Sequence, residues 1–256
     1  MFRVFALALI YFVLATPCFA LKEVRSIPTR DGVTLNILER SKDDNIDKTA
    51  LILFPGGEVA NSFKLEEDGR VRGNNFLVRT SKDFAQEMTA VVVDAPSDHK
   101  SGMDNDFRQS AEHALDITKL IDYLTSQGAE KIFLVGTSRG TLSVASLATK
   151  IQHPKLKGIV LTSSLEHTKF MRWLPLEKIK LPVLMVHHTD DACKICSLYE
   201  AKRTRDALAK FTQVDFIEVT GGVQPKSGPC EALSAHGFLG VEDKAVQPII
   251  DWIKKH

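Results

Sequence analysis

The chain has 256 residues, of which 44% are apolar and 25% charged, an ordinary composition for a globular protein that can form one large domain. Its 33 basic and 32 acidic side chains leave a formal net charge of +1. The Lys and Arg residues also form no long basic block. We therefore expect no nucleic-acid partner.

The N-terminal segment MFRVFALALIYFVLATPCFA has the layout of a secretory signal peptide. One early cation precedes an apolar run over residues 5–15, and Cys18 and Ala20 hold the −3 and −1 positions of a cut after Ala20. The rival is an uncleaved membrane anchor, but the run is shorter than the ~20 residues that a spanning helix needs. We expect residues 1–20 to be a cleaved signal peptide. Residues 21–256 would then form one exported domain, periplasmic or secreted, with no stable membrane anchor.

The rest of the chain alternates between strand and helix patterns. A turn at Asp31-Gly32 separates two strand patterns, which predicts an antiparallel hairpin at a sheet edge. Continuous apolar runs such as ALILF and KIFLV predict buried central strands. The predicted strands cover residues 24–27, 33–38, 50–54, 90–93, 131–135, 158–161, 182–186 and 214–219. The predicted helices cover residues 76–88, residues 107–124, a stretch from GTSRG through Leu147, and a final helix that begins near Pro248.

This element order predicts an α/β fold. A hairpin followed by strand–helix alternation implies a mostly parallel central sheet, with an antiparallel N-terminal hairpin and helices on both faces. In such folds the chemistry collects at the loops beyond the carboxyl ends of the strands. We therefore expect the functional residues to lie in those loops.

GTSRG, residues 136–140, follows the KIFLV strand directly and precedes a helix. A strand that turns sharply into a helix strains the middle residue and exposes its side chain, and small flanking residues let neighbouring backbone pass. Ser138 is therefore a candidate nucleophile at a helix N-terminus, where backbone N–H groups favour a developing negative charge. The alternative is a chance match at a glycine-flanked turn, and the strand–turn–helix placement favours the nucleophile.

A nucleophilic serine needs hydrogen-bond donors for the oxyanion that its attack creates. FPGGE, residues 54–58, follows the ALILF strand, where a glycine-rich loop can turn a backbone N–H toward Ser138. The backbone N–H groups of Gly57 and Arg139 are the predicted pair of donors. An ordinary Pro-Gly turn is the alternative interpretation of this loop.

The predicted base is His236, in the stretch LSAHGFLG. It lies after the last predicted strand and before the terminal helix, in a loop expected to overhang the carboxyl edge of the sheet. The acid that orients it is expected in VHHTDDACKIC, which follows the strand LPVLMV. Asp191 is the first choice, Asp190 the second, and Glu166 in the preceding loop the third.

Together these residues resemble the α/β-hydrolase superfamily over about residues 22–255. GTSRG is similar to its nucleophile elbow, FPGG to its oxyanion loop, and the chain order to its Ser…Asp…His order. The stretches NNFLVRTSKDFA, VVVDAPSD and PCEALSAHGF are similar to a subgroup of bacterial secreted or periplasmic hydrolases of poorly defined substrate. The resemblance implies Ser138 as nucleophile, Asp191 as acid and His236 as base. The short stretch between residues 165 and 179 leaves room for a small lid or none.

Removal of the signal peptide would leave three of the four cysteines, an odd number. In an exported protein the simplest use of Cys193 is a disulfide to Cys230, which would join the acid loop to the base loop. Cys196 would then be the spare thiol. The alternatives are no bond, or a metal site that uses the C-x-x-C and the neighbouring histidines. Because no second ligand pair completes a zinc-like pattern, we predict the disulfide and no metal.

The sequence predicts an exported serine hydrolase without a cofactor. It would cleave an ester, in preference to an amide, of a small-molecule acyl substrate by way of an acyl-enzyme. The alternative from another class is a non-catalytic binding protein on the same scaffold, since a fold does not determine a function.

Overall fold

The structure is a computed structural model that describes residues 21–43, 45–57, 63–65 and 71–256. The predicted signal peptide lies outside these residues. In the helices that the structure describes, none combines the length and apolar character needed to cross a membrane.

The chain forms strands and helices in alternation after an initial hairpin. The strands are β1 (Leu21–Arg30), β2 (Val33–Ser41), β3 (Thr49–Phe54), β4 (Lys64–Leu65), β5 (Val71–Arg72), β6 (Thr89–Pro96), β7 (Lys131–Thr137), β8 (Leu156–Thr162), β9 (Val183–His188) and β10 (Val214–Val219). The helices are α1 (Phe76–Arg79), α2 (Ser81–Phe84), α3 (Asn105–Arg108), α4 (Ala111–Ser126), α5 (Arg139–Lys150), α6 (Leu198–Leu208) and α7 (Glu242–Lys255).

One sheet of eight strands runs through the molecule in the order β1-β2-β6-β3-β7-β8-β9-β10. Strand β2 pairs antiparallel with both β1 and β6, and the other neighbours in this sheet pair in parallel. The predicted fold class is therefore confirmed. The chain leaves β3 toward β6 on one side and later returns to β7 on the other, so β3 borders the crevice where ligands bind in open α/β sheets.

The sheet is buried on both faces, as the continuous apolar strand patterns predict. In β3, Ile52 and Phe54 belong to the cluster formed with α4 and α5, whereas Leu51 and Leu53 belong to the cluster formed with α1, α2 and α7. All four side chains are fully buried. Each burial contributes about 1.5–3 kcal/mol, so β3 and β7 form a rigid base for the loops that follow them.

Two predicted helices are each divided in two. The helix predicted over 76–88 breaks between α1 and α2, where the Phe76 carbonyl accepts from the hydroxyl of Thr80 at 2.7 Å as well as from its backbone N–H. The helix predicted over 107–124 breaks between α3 and α4. There Ser110 is the N-cap of α4, and its hydroxyl oxygen accepts from the backbone N–H of His113 at 3.0 Å.

The final helix begins at Glu242, so the prediction of a start near Pro248 is wrong. Pro248 lies inside α7, where the missing N–H and ring clash usually cost about 3 kcal/mol. The helix continues past it because Val246, Ile249 and Trp252 lie on one buried stripe against the sheet.

The segment between β8 and β9 agrees with the expectation of a small lid. Residues 163–182 contain only two short 3-10 helices, Met171–Trp173 and Leu176–Lys178, as regular structure.

Candidate active site

Ser138 lies at the sharp turn between β7 and α5. Its φ of 53° and ψ of −124° are a strained conformation for a residue with a side chain. Gly136 and Gly140 permit this turn, because a Cβ on Gly136 would lie 2.5 Å from the Gly140 carbonyl oxygen. A Cβ on Gly140 would overlap the carbonyl of Phe54 in β3. The two glycines of GTSRG are therefore required by close backbone packing between β3, β7 and α5.

The loop after β3 lies against the predicted nucleophile. A Cβ on Gly56 would lie 2.7 Å from the Ser138 Cβ, so only glycine allows this approach. Gly57 has a φ of 81°, a conformation that also favours glycine. Arg139 is the first residue of α5, so its N–H has no partner within the helix. The predicted oxyanion donors Gly57 and Arg139 thus both lie beside Ser138, while Glu58 falls outside the described residues.

Arg108, which the sequence analysis did not identify, supports this loop from inside the protein. Its side chain is fully buried, and Nη2 donates to the Gly57 carbonyl at 3.0 Å while Nη1 donates to the Ser143 hydroxyl in α5 at 2.9 Å. Burial and the charge of Arg139 lower the pKa of Arg108 to about 10, which keeps it charged at neutral pH. Arginines are mostly exposed, so no local pattern singles this one out.

The predicted base and acid are hydrogen bonded to each other. His236 lies in a 3-10 turn between β10 and α7, and its Nδ1 is 2.8 Å from Asp191 Oδ2. The side chains are 5% and 0% exposed. The other carboxylate oxygen, Oδ1, accepts from the backbone N–H of Cys193 at 2.9 Å. This arrangement assigns the His236 proton to Nδ1 and leaves a lone pair on Nε2.

The second and third choices for the acid lie elsewhere. Asp190 is exposed, and its backbone N–H donates to the ring of His188 at 3.0 Å. Glu166 forms an ion pair with Lys169 at 3.0 Å. Of the three candidate carboxylates, only that of Asp191 is hydrogen bonded to His236.

Ser138 and His236 line the same cavity, which has a volume of about 260 Å³ and is also lined by Gly56, Gly57 and Phe76. No hydrogen bond joins Ser138 Oγ to His236 among the residues the structure describes. Such bonds often form only when substrate binds. The structure therefore brings the predicted nucleophile, base and oxyanion loop to one cavity, without the Ser–His contact of a reacting complex.

The spare thiol lies beside the predicted nucleophile. Cys196 is free and buried, and its Sγ is 3.8 Å from Ser138 Oγ. Burial and the nearby Asp191 raise the pKa of the Cys196 thiol to about 12. A neutral thiol is a poor nucleophile, so Cys196 is a weaker candidate nucleophile than Ser138 at neutral pH. The sequence shows that Cys196 lies three residues after Cys193, but its proximity to Ser138 depends on the fold.

Two histidines without an assigned role support the acid loop. Nε2 of His187 donates to the carbonyl of Cys196 at 2.8 Å and lies 3.6 Å from Asp191 Oδ2. Burial lowers the pKa of His187, which favours the neutral ring. Nε2 of His188 donates to the carbonyl of Gly221 at 2.9 Å, which ties this loop to the segment after β10.

The predicted disulfide between Cys193 and Cys230 is present. It links the loop after β9, which carries Asp191, to the loop after β10, which carries His236. The hydroxyl of Ser163 also donates to the His236 carbonyl at 2.7 Å. The base loop is thus held by the disulfide and by hydrogen bonds with Asp191, in the loop after β9, and with Ser163, in the loop after β8.

Comparisons with known proteins identify the fold. No family model matches the chain, and no curated protein matches its sequence. Among solved structures, an alpha-beta serine hydrolase homologue from Coxiella burnetii is 15% identical with a TM-score of 0.62, over 90% of this chain and 96% of that one. An esterase from Pyrococcus furiosus is 13% identical with a TM-score of 0.61, over 92% of this chain and 93% of that one.

A third similar structure is longer. The acylaminoacyl peptidase of Pyrococcus horikoshii is 11% identical with a TM-score of 0.63, over 92% of this chain but 41% of that one. At these identities the likeness concerns the fold, and the strand order of this chain agrees with it. The chain has the α/β-hydrolase fold.

Proposed function

We propose that the protein is a serine hydrolase that cleaves an ester bond through an acyl-enzyme intermediate. The observation that carries the proposal is the convergence of three features on one cavity of about 260 Å³. These are a serine on a strained elbow, a histidine paired with a buried aspartate at 2.8 Å, and a glycine loop in contact with the serine.

In acylation, Ser138 Oγ attacks the carbonyl carbon of the ester while His236 Nε2 takes its proton. The carbonyl oxygen becomes an oxyanion, which the N–H groups of Gly57 and Arg139 stabilise. Each such donor contributes about 3–4 kcal/mol. Asp191 stabilises the imidazolium and keeps its orientation. The C–O bond then breaks, and His236 returns the proton to the leaving alcohol.

In deacylation, a water molecule takes the place of the alcohol. His236 removes a proton from the water as its oxygen attacks the acyl carbon, and the same two N–H groups stabilise the second oxyanion. When the bond to Ser138 Oγ breaks, His236 returns the proton to the serine. The enzyme ends the cycle in its starting state, and no cofactor enters it.

The proposed substrate is a small acyl ester. A cavity of about 260 Å³ is below the usual range of roughly 300–1,000 Å³ for drug-sized ligands, which supports a short acyl chain. An ester is preferred to an amide because an alcohol leaves with less help from a general acid than an amine does. The similar structures include proteins named as an esterase and as a peptidase, so both bonds need to be assayed.

We further propose that the protein is exported after cleavage behind Ala20. The N-terminal layout supports this proposal. The Cys193–Cys230 disulfide supports it too, because such bonds persist in oxidising compartments.

Steady-state and burst kinetics test the proposed reaction. With nitrophenyl esters of two, four and eight carbons, we expect a burst of one nitrophenol per active site and fastest turnover for the short chains. Matching anilides should react far more slowly. Ser138→Ala should abolish the burst, whereas Ser126→Ala, at the end of α4, should keep it. Equal rates for the protein and Ser138→Ala, together with measurable ester binding, would favour a non-catalytic binding protein.

A further inference from the structure

Three potential metal ligands lie together beside the cavity. Cys193 Sγ, Cys196 Sγ and a ring nitrogen of His236 are all within 4.8 Å of one another, and all three residues contribute buried ligand atoms. Zinc binds thiolate sulfur at about 2.3 Å and imidazole nitrogen at about 2.0 Å, so tetrahedral ligands are roughly 3.5–3.8 Å apart. The three atoms are therefore near that spacing and would have to move closer together to bind one ion.

Asp191 is placed as a supporting residue for such a site. It accepts from His236 Nδ1 at 2.8 Å, so the free lone pair is on Nε2. A histidine that binds a metal through one nitrogen usually donates its other N–H to a carboxylate, which orients the ring and raises its basicity. The hydrogen bond between His187 and the Cys196 carbonyl also holds the C-x-x-C loop in place.

The disulfide blocks this site in the oxidised protein, because the sulfur of Cys193 is bonded to Cys230. Cys230 is not one of the three clustered ligands. It is exposed at the surface, where a reductant can reach the bond, whereas Cys193 is 1% exposed. Reduction would release Cys230 and leave the Cys193 sulfur next to the Cys196 thiol.

We propose that reduction of the Cys193–Cys230 disulfide opens a zinc-binding site formed by Cys193 Sγ, Cys196 Sγ and His236 Nε2. The site differs from a metal site on the VHHTDDACKIC stretch alone, because its nitrogen ligand comes from the loop after β10. Two thiolates and one imidazole are a ligand set that suits zinc, and they leave a fourth position for water. Ser138 Oγ is 3.8 Å from Cys196 Sγ, so a metal bound here would lie close to this serine.

The chemistry balances with a phosphine as the reductant. The phosphine takes the oxygen of one water molecule and becomes a phosphine oxide, and the disulfide gains two electrons and two protons to become two thiols. Zn²⁺ then displaces the protons of Cys193 and Cys196, which pass to solvent. Cys230 remains a free thiol. Zinc on Nε2 would occupy the lone pair that accepts the Ser138 proton, so hydrolysis would stop. This last consequence rests on the proposed function, but the site does not.

Cobalt binding tests the site without any enzyme assay. The purified protein is reduced with a phosphine, desalted under argon and titrated with Co²⁺, whose thiolate complexes absorb through sulfur-to-cobalt charge transfer. We expect one Co²⁺ per chain with a tetrahedral spectrum, displaced by one Zn²⁺. The oxidised protein should give no such spectrum. Absence of thiolate-bound cobalt in the reduced protein, or the same spectrum before and after reduction, would overturn the proposal.

Cys230→Ser and Cys196→Ser form a matched pair of variants. Cys230→Ser removes the disulfide without touching a ligand, so it should bind Co²⁺ without a reductant. Cys196→Ser keeps the disulfide and removes a ligand, so it should lose the charge-transfer band after reduction. An unchanged band in reduced Cys196→Ser contradicts the ligand assignment.

A second pair separates a folded site from two thiols in a loosened chain. On the Cys230→Ser background, His236→Ala should weaken Co²⁺ binding and Asp191→Asn should weaken it by about 10–100-fold. Equal affinity in all three proteins would mean that the C-x-x-C binds alone, and the proposed site would be wrong. If the protein shows no esterase activity but these cobalt results hold, the zinc site stands and only the proposed hydrolase is lost.

Discussion

The two halves of the candidate active site are held in place by different means. The elbow half, residues 54–57 and 136–141, depends on backbone shape. Its glycines allow the loop after β3 to contact Ser138, and a Cβ at Gly56 would lie 2.7 Å from the serine Cβ. The acid–base half, residues 187–196 and 230–238, depends on bonds made by side chains. A disulfide, a carboxylate–imidazole hydrogen bond and a serine–carbonyl hydrogen bond hold it.

The difference lies in the sequence separation of the partners. The elbow half follows directly from two adjacent buried strands, so a short motif specifies it. The acid–base half joins residues 37 to 73 positions apart, and each bond can be removed by a single chemical change. We therefore expect the elbow half to resist reduction and to fail when a methyl group is added. We expect the acid–base half to fail on reduction and to tolerate an added methyl group.

The largest expected effect comes from removing one reacting group from each half. Ser138→Ala and His236→Ala should each lower kcat by about 10⁶-fold, and the double variant should lose little more, because groups that act as a unit are not additive. Ester hydrolysis by the three purified proteins is the measurement. Multiplicative losses in the double variant would show that the two halves do not act together.

Adding one methyl group tests the elbow half. Gly56→Ala should lower kcat by about 10²–10³-fold, because the displaced loop no longer aims its N–H at the oxyanion. The control is Gly228→Ala, just before residues 230–238, where the atoms nearest to the new Cβ would be those of the Glu231 side chain, at 3.5 Å. The measurement is kcat for ester hydrolysis by both variants. A Gly56→Ala protein with full activity would contradict the close contact between the loop and Ser138.

Breaking the disulfide tests the acid–base half. The bond spans 37 positions, and the chain-entropy relation gives a loss of about 3–4 kcal/mol in the free energy of unfolding for Cys230→Ser. Urea unfolding in metal-free buffer measures it, with Cys196→Ser as the control that keeps the bond. A Cys230→Ser protein as stable as the wild type would show that hydrogen bonds alone hold this half.

Low pH tests the packing of buried His113 behind the elbow half. His113 is fully enclosed, its ring centroid is 6.0 Å from that of Phe54, and burial lowers its pKa to about 3. In the unfolded chain this pKa returns to about 6.5, so only the unfolded state takes up the proton as the pH falls from 7 to 5. The free energy of unfolding should fall by about 2 kcal/mol over that range.

The variant His113→Leu tests whether this histidine causes the loss of stability between pH 7 and pH 5. It removes the proton-binding group and keeps an apolar side chain, so most of the loss between pH 7 and pH 5 should disappear. Urea unfolding of both proteins at the two pH values gives the comparison. An unchanged pH dependence in His113→Leu would assign the acid sensitivity to other groups, such as the buried His187.

The sequence predicted the parallel sheet, the sharp turn at Ser138 and the contact of Asp191 with His236, because each depends on a local pattern or on chain order. It did not predict the breaks at Thr80 and Ser110, where a side-chain hydroxyl forms a hydrogen bond with the helix backbone. It also missed Arg108, whose importance depends on a contact with Gly57, 51 positions away. The proximity of Cys196 to Ser138 depends in the same way on two loops from different strands.

If the elbow half and the acid–base half together activate Ser138, a fluorophosphonate should label this serine. The oxidised protein is incubated with the probe, and intact mass and peptide mapping identify the modified residue. We expect one label per chain on Ser138, a much slower reaction in His236→Ala, and none in Ser138→Ala. A folded protein that does not label, or labels equally in Ser138→Ala, would contradict the activation of Ser138 by the two halves.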